Sequence, residues 1–293
     1  MAMLCLAVLS LTFLIGLTLF LRSRPVLATQ GLGELLFSSS WHPTQGRFGL
    51  ATFIAGTLWV TGIAMAIGVP LSVLTAIYLS EYATARARRL VTPIIDVLAG
   101  ISPVVYGVWG LLAVVPLVRD HVMPGLSRLL PFAPFQSDNS TGFSALTGGI
   151  VLSVMVTPII IAIADEVLRS VPFALREAAF ALGMTRWETV RHVVLRKAWP
   201  GIIAAVILGL SRAFGETMAV LMVAGCTLHG ATRSIFDPAY PLPALIANTY
   251  GEMMSVPLYD AAVLLAALVL FVMTVAFNSL GWGILLRLEK AQG

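Results

Sequence analysis

Apolar residues fall into six runs long enough to cross a bilayer, with polar residues gathered between them: 1–21, 53–79, 94–118, 146–164, 200–224 and 261–286. At 1.5 Å rise per residue the shortest, 19 residues, covers about 28 Å of hydrocarbon. The longer ones must tilt or project beyond it. Pro70, Pro103, Pro116, Pro158, Gly209 and Gly215 lie inside runs. Spanning helices tolerate such breakers where neighbouring helices or water take up the freed backbone groups. The pattern predicts an all-α, polytopic membrane protein with about six transmembrane helices. It divides into a first helix over 1–25, an outer loop over 26–52, and a membrane domain over 53–293 whose longest inner loop occupies 165–199. No internal repeat or interdomain linker is visible.

Composition points the same way. Charged residues make up 11% of the chain, against about 25% in an ordinary soluble protein. Hydrophobic residues reach 58%, more than one compact core of this length hides. The net charge of +4 sits between the runs, beside lipid head groups, and is no nucleic-acid patch. Cys5 lies in the first run and Cys226 at the end of the fifth, places that suit packing rather than a disulfide framework or thiolate metal site.

Basic residues set the orientation. With the amino end inside, the inner segments hold Arg86, Arg88, Arg89, Arg169, Arg176, Arg186, Arg191, Arg196, Lys197, Arg287 and Lys290. The outer loops hold Arg22, Arg24, Arg47, Arg119, Arg128 and Arg233. The excess puts both termini in the cytoplasm, although Arg22 and Arg24 pull the other way. Val26-Leu27-Ala28 has the form of a signal cleavage site. The run before it is too long for an h-region and lacks a basic n-region, so a retained helix is expected.

The loop 165–199 holds two amphipathic stretches flanking Gly183. The first carries Glu177, Ala178 and Ala179; the second puts Trp187, Val190 and Val194 on one face by i, i+3, i+4 spacing. Gly183 is placed to end the first helix in a left-handed conformation. Small alanines leave room for a close partner surface. Taken alone, the segment also suits a helical hairpin lying on the membrane interface.

Glu177-Ala178-Ala179, three residues, then Gly183 resembles the EAA loop of binding-protein-dependent ABC importers. Val193, Val194 and Leu195 match the apolar end of that pattern, with Arg196 where Pro is usual. The stretch from Leu98 to Gly107 is similar to the third-helix segment of Pst-type phosphate permeases, with Ser102 and Pro103 in reversed order. Trp41 and Pro43, followed by Gly46, Phe48 and Gly49, resemble their first outer loop. The stretch from Gly209 to Met222 resembles their fifth helix, and its portion from Glu216 onward is closer to the PstC-like member of the permease pair. The resemblance implies a type I ABC importer permease (MetI-like) core in a bacterial inner membrane. It implies as partners a second, PstA-like permease subunit, a dimer of ATP-binding subunits and an extracytoplasmic phosphate-binding protein. Glu177, Ala178, Ala179, Gly183, Val193 and Leu195 are then the residues that couple to the ATPase.

Arg212 lies about 18 Å along the fifth run from Pro200, close to mid-membrane, where insertion scales charge about 2.5–3.5 kcal/mol for it. Glu216, four positions on, is expected to share its helix face and partly neutralise it. Intramembrane ionisable groups face a bundle interior or a water-filled path. A guanidinium matches a tetrahedral oxyanion bidentately and stays charged, without separating phosphate from sulfate or molybdate. A structural ion pair at a permease–permease interface fits the same spacing; the resemblance tilts the reading toward a substrate pathway. Asp96 and Asp260 read as helix-start charges, at the inner end of the third run and the outer start of the sixth.

Other chemistry is missing from the sequence. Neither lysine, Lys197 or Lys290, follows a glycine, so there is no P-loop and ATP must be hydrolysed by another subunit. His42, His121, His192 and His229 are dispersed without metal-ligand spacing, and no cofactor is implied. Gly142-Phe143-Ser144-Ala145 faintly resembles a serine-protease signature but lacks the following glycine and any paired catalytic group. The ion-coupling carboxylates or inverted repeats of a secondary transporter are not evident.

Overall fold

The computed structural model describes residues 2–129, 139–228, 234–252 and 256–292. Met1, His229 and Arg233 lie outside the described residues. Among the described residues six helices are long and apolar enough to cross a membrane: Leu9–Thr29, Ala51–Tyr82, Pro103–Arg128, Ala145–Ser170, Arg186–Gly215 and Tyr259–Arg287. They are the six expected spans. Their bounds differ from the apolar runs in two places that matter for function.

The first concerns the third span. The apolar run 94–118 is cut in two by Ser102-Pro103. An amphipathic helix, Ala85–Gly100, ends there, Ile101 and Ser102 are extended, and Pro103 opens the span at its first turn. A residue before proline is pushed out of the helical region, and proline suits a helix start. Asp96 therefore sits, exposed, well inside the amphipathic helix rather than at a helix start on the third span. Asp260 does lie in the first turn of the sixth helix. The second difference is at the fifth span, whose helix begins at Arg186, runs through Pro200 and stops at Gly215. A separate short helix, Met218–Val223, follows.

The fourth span is the most enclosed of the six and the first span the least. The second and fourth spans pack along their length, with the fifth against the fourth and the first against the sixth. Small residues permit this closeness, as they do between spanning helices generally. A Cβ on Gly149 would come within 2.5 Å of Ile63, and one on Gly209 within 2.6 Å of Ile160. The Ser72 hydroxyl adds a polar tie, donating to Gly68 O at 2.6 Å and toward Thr157 O at 3.3 Å. Val60, Ala64, Leu152, Met155, Ile160 and Ala205 are buried between these helices.

At one end of the bundle an aromatic cap closes the second and sixth spans. Trp41–His42 pairs antiparallel with Arg47–Phe48. Trp41 sits edge-on to Phe48, Phe53 and Tyr259, with centroids 5.5, 5.2 and 6.3 Å away. Gly49 presses so close to the backbone of Ser38 and Ser40 that a side chain there would meet their main-chain atoms. The Ser144 hydroxyl accepts from Thr147 N at 3.2 Å as the N-cap of the fourth span, which gives that serine a helix-start role.

Candidate functional site

At the end opposite the aromatic cap, the chain leaves the fourth span at Ser170 and turns through Pro172 into a short helix, Phe173–Ala181. Gly183 stops it with φ +79°. Gly183 N–H donates to Phe180 O at 2.9 Å and Met184 N–H to Ala179 O at 3.1 Å, the paired bonds of a left-handed helix stop. Two residues later Thr185 starts the next helix with a reciprocal cap: Glu188 N–H donates to the Thr185 hydroxyl at 3.3 Å, and Thr185 N–H to the Glu188 carboxylate at 2.7 Å. Each satisfies a backbone donor that a helix start leaves open. The second helix continues into the fifth span through a wide turn, Val190–Val194. The second arm of the hairpin is thus continuous with that span.

Of the residues expected here, Glu177, Ala178 and Gly183 are exposed, whereas Ala179 is buried. Val193 and Leu195 are half-buried and flank the fully enclosed Val194. Trp187 does not share the buried face of Val190 and Val194; it is exposed, as are Phe173, Phe180 and Leu182 on the same hairpin. Leu182 is 83% exposed and Phe173 67%, so the hairpin presents an apolar surface where a loop in water would carry polar groups.

Behind it lies an open cavity of about 750 Å³ lined by Ser80, Glu81, Arg169, Arg176, Arg186 and Thr189, among others. Sequence reasoning missed its centre. Glu81, near the hairpin end of the second span, pairs with Arg176, the residue just before Glu177, at 2.7 Å. Arg186 donates to the backbone carbonyl of Glu81 and stands over the Tyr82 ring at 4.9 Å. One signal was available. A carboxylate at a helix carboxyl end opposes the helix dipole and calls for a cation from elsewhere.

The second candidate is the break after the fifth span. Arg212 occupies the last turn, while Glu216 is already extended, with φ −75° and ψ 124°. The expected common helix face does not exist. Gly215 favours helix poorly, and the Glu216 carboxylate takes the N–H of Ala219 at 3.2 Å, a local bond that replaces continued helix. Arg212 is exposed and Glu216 half-buried. Glu216 lines, with Thr57 and Thr61, a cavity of about 10 Å³, room for about one water. Among the described residues Arg212 makes no ion pair or hydrogen bond. The helix end is fixed to the sixth span by Ser211, bonded to Asn278, and by Phe214, whose ring centroid is 4.9 Å from that of Phe277. The guanidinium is thus held out from a pinned helix end.

Comparison with known proteins agrees with this architecture. The family model described as binding-protein-dependent transport system inner membrane component matches residues 68–285. The phosphate transport system permease protein PstC of Xylella fastidiosa is 38% identical over 283 residues, covering 95% of this chain and 86% of that relative. The probable phosphate transport system permease protein PstC of Methanocaldococcus jannaschii is 35% identical over 267 residues, covering 89% and 84%. A solved bacterial ABC transporter involved in the import of the acidic polysaccharide alginate gives a TM-score of 0.63 at 15% identity, over 98% of this chain and 94% of that one. The MetNI methionine ABC transporter, inward facing, gives 0.55 at 20% identity, over 82% and 94%. Identities this low carry the fold alone, the MetI-like core of ABC importer permeases. With a family match over more than half its length and relatives this similar, the chain belongs to the binding-protein-dependent transport system inner membrane components.

Proposed function

We propose that this chain is the transmembrane permease subunit of an ATP-driven importer and forms half of the translocation path for inorganic phosphate. The observation that carries the reading is the 38% identity, over 95% of the chain, to a permease named for phosphate transport. The exposed apolar side chains of the hairpin, Phe173, Phe180, Leu182 and Trp187, together with the exposed Glu177 and Ala178 of its first arm, suit the groove of an ATP-binding subunit, one of a dimer. The hairpin and both termini then face the cytoplasm. A PstA-like permease supplies the other half of the path, and an extracytoplasmic phosphate-binding protein delivers cargo at the aromatic-cap end. No P-loop exists in this chain, so ATP is hydrolysed by the partner.

Arg212 offers the anion a planar fork of donors that stays charged. Glu216, four residues on, adds a negative charge that offsets part of that field, so phosphate is held weakly enough to move on. The test is uptake of inorganic phosphate by the complete complex in proteoliposomes. Arg212→Ala loses charge-assisted hydrogen bonds worth about 1.5–3 kcal/mol, so uptake is expected to fall about tenfold or more. Near-normal uptake removes Arg212 from the path. Uptake that survives ATP depletion but stops when the proton gradient collapses overturns the ATP-driven reading.

A further inference from the structure

The inner end of the second span is held by three arginines from three different segments. Arg88, from the amphipathic helix, donates to Leu79 O at 3.0 Å and to Ser80 O at 2.7 Å. Arg186, from the second arm of the hairpin, reaches the Glu81 carbonyl. Arg176, from the first arm, grips the Glu81 carboxylate with two donors, Nη2 to Oε1 at 2.7 Å and Nε to Oε2 at 3.4 Å. The same guanidinium donates to Val171 O at 2.6 Å and Leu168 O at 3.0 Å, at the end of the fourth span. One side chain therefore joins the hairpin to both the second and fourth spans. Its side chain is 12% exposed and that of Glu81 10%.

Helix stability does not explain the carboxylate. An acid at a helix carboxyl end is unfavourable, and a buried pair is weak evidence of net stabilisation, since desolvation offsets attraction. What the pair supplies is direction. Apolar contacts resist compression but slide under shear. A two-pronged, charge-assisted bond has one geometry and resists pulling as well as pushing. Glu81 also sits in a wide turn, Tyr78–Tyr82, a form frequent where helices carry function. From there the second span runs as one continuous helix to Ala51. Thr61 lies 20 residues from Glu81, about 30 Å at 1.5 Å each, and lines the cavity with Glu216.

We infer that Glu81 is a positioning residue for transport: paired with Arg176, it passes displacement of the hairpin to the second span, and so to the neighbourhood of Glu216. The inference rests on the coupling role assigned to the hairpin under the proposed function.

The experiment compares phosphate moved with ATP hydrolysed in the complete reconstituted complex, with inorganic phosphate as the probe. A wild-type complex that takes up no phosphate on ATP addition defeats the functional reading itself, before any variant is measured. Given wild-type uptake, Glu81→Gln is expected to keep the ATPase subunit bound and hydrolysing while phosphate moved per ATP falls about tenfold. The double variant Glu81→Gln/Arg176→Gln removes the unpaired charge together with the Arg176 bonds to Val171 and Leu168, and is expected not to restore the ratio. Restoration of the ratio by the double variant overturns the inference, because the pair then acts through stability alone. Loss of uptake and hydrolysis in equal proportion overturns it too. Should Glu81→Gln fail to assemble, Glu81→Asp decides, since it keeps the charge but retracts it by one methylene. A fall of about threefold in phosphate per ATP supports the joint, and an unchanged ratio overturns it.

Discussion

Gly183 permits the sharpest test of how the hairpin works. Its φ of +79° lies in the left-handed region, and a Cβ built there meets nothing within 4 Å. A substitution is therefore opposed by the backbone alone, without a steric clash inside the chain. For an ordinary L-residue that opposition is about 1–2 kcal/mol, which shifts the balance between formed and opened turn about 5- to 30-fold. Asn tolerates the left-handed region better than other residues with a side chain, and a β-branched residue tolerates it worst. The expected order of damage is Gly183→Asn, then Gly183→Ala, then Gly183→Val. Each variant would be assembled with the ATPase subunit, and both the affinity of that subunit and phosphate uptake measured. All three should insert in the membrane, because the spans do not pass through the turn. Damage that follows side-chain volume instead, with Asn worse than Ala, refutes the backbone reasoning and makes Gly183 a point of close contact with the partner. Wild-type affinity and uptake in Gly183→Val removes the turn from coupling altogether.

Two further outcomes follow from local geometry. Thr185→Ala deletes the hydroxyl that caps the second hairpin helix, an effect of about 1 kcal/mol; amide exchange at Arg186–Thr189 should quicken while the fifth span beyond Val194 keeps its protection. Gly49→Ala drives a methyl into the backbone of Ser38 and brings it within 2.9 Å of Ser40 N, so the aromatic cap must shift. Overpacking of this kind is worth about 1–3 kcal/mol, and it should appear as a lower unfolding temperature with a changed Trp41 emission.

What was legible in the sequence was local in origin. Bilayer thickness alone selects six apolar runs, and all six appear as spans. The hairpin turn could be read from Gly183, because a left-handed stop needs no distant partner. Both misread boundaries share one cause: a breaker inside an apolar run looks the same whether a neighbouring helix accommodates it or the helix ends. Pro158 and Pro200 are carried within helices, whereas Pro103 begins one and Gly215 finishes one. Hydrophobicity does not distinguish these cases, since the apolar run continues on both sides of the break. Ser102-Pro103 carried the decisive cue, the extended residue that proline imposes before itself. The break at Gly215 then separates Arg212 from Glu216, so their spacing of four implied a helical neighbour that the backbone does not supply.

The Glu81–Arg176 pair was illegible for a different reason. Its members are 95 residues apart, and no periodicity links positions that only the packed bundle brings together. Yet half of the pair announced itself as a local inconsistency. A sequence that specifies one fold has its local preferences and its global arrangement in agreement, and departures gather where function demands them. An acid at the carboxyl end of a long apolar helix is such a departure, as is a guanidinium in the last turn of a spanning helix that makes no ion pair among the described residues. Arg212 stands out in the sequence because a membrane makes any charge conspicuous. Glu81 does not, because it lies at the edge of the span, where a charge looks ordinary unless its sign is set against the helix dipole. In a spanning helix the sign of a terminal charge therefore carries information that its mere presence does not. A carboxylate at the negative end points to a cation on another segment, and in this chain that cation stands on the hairpin.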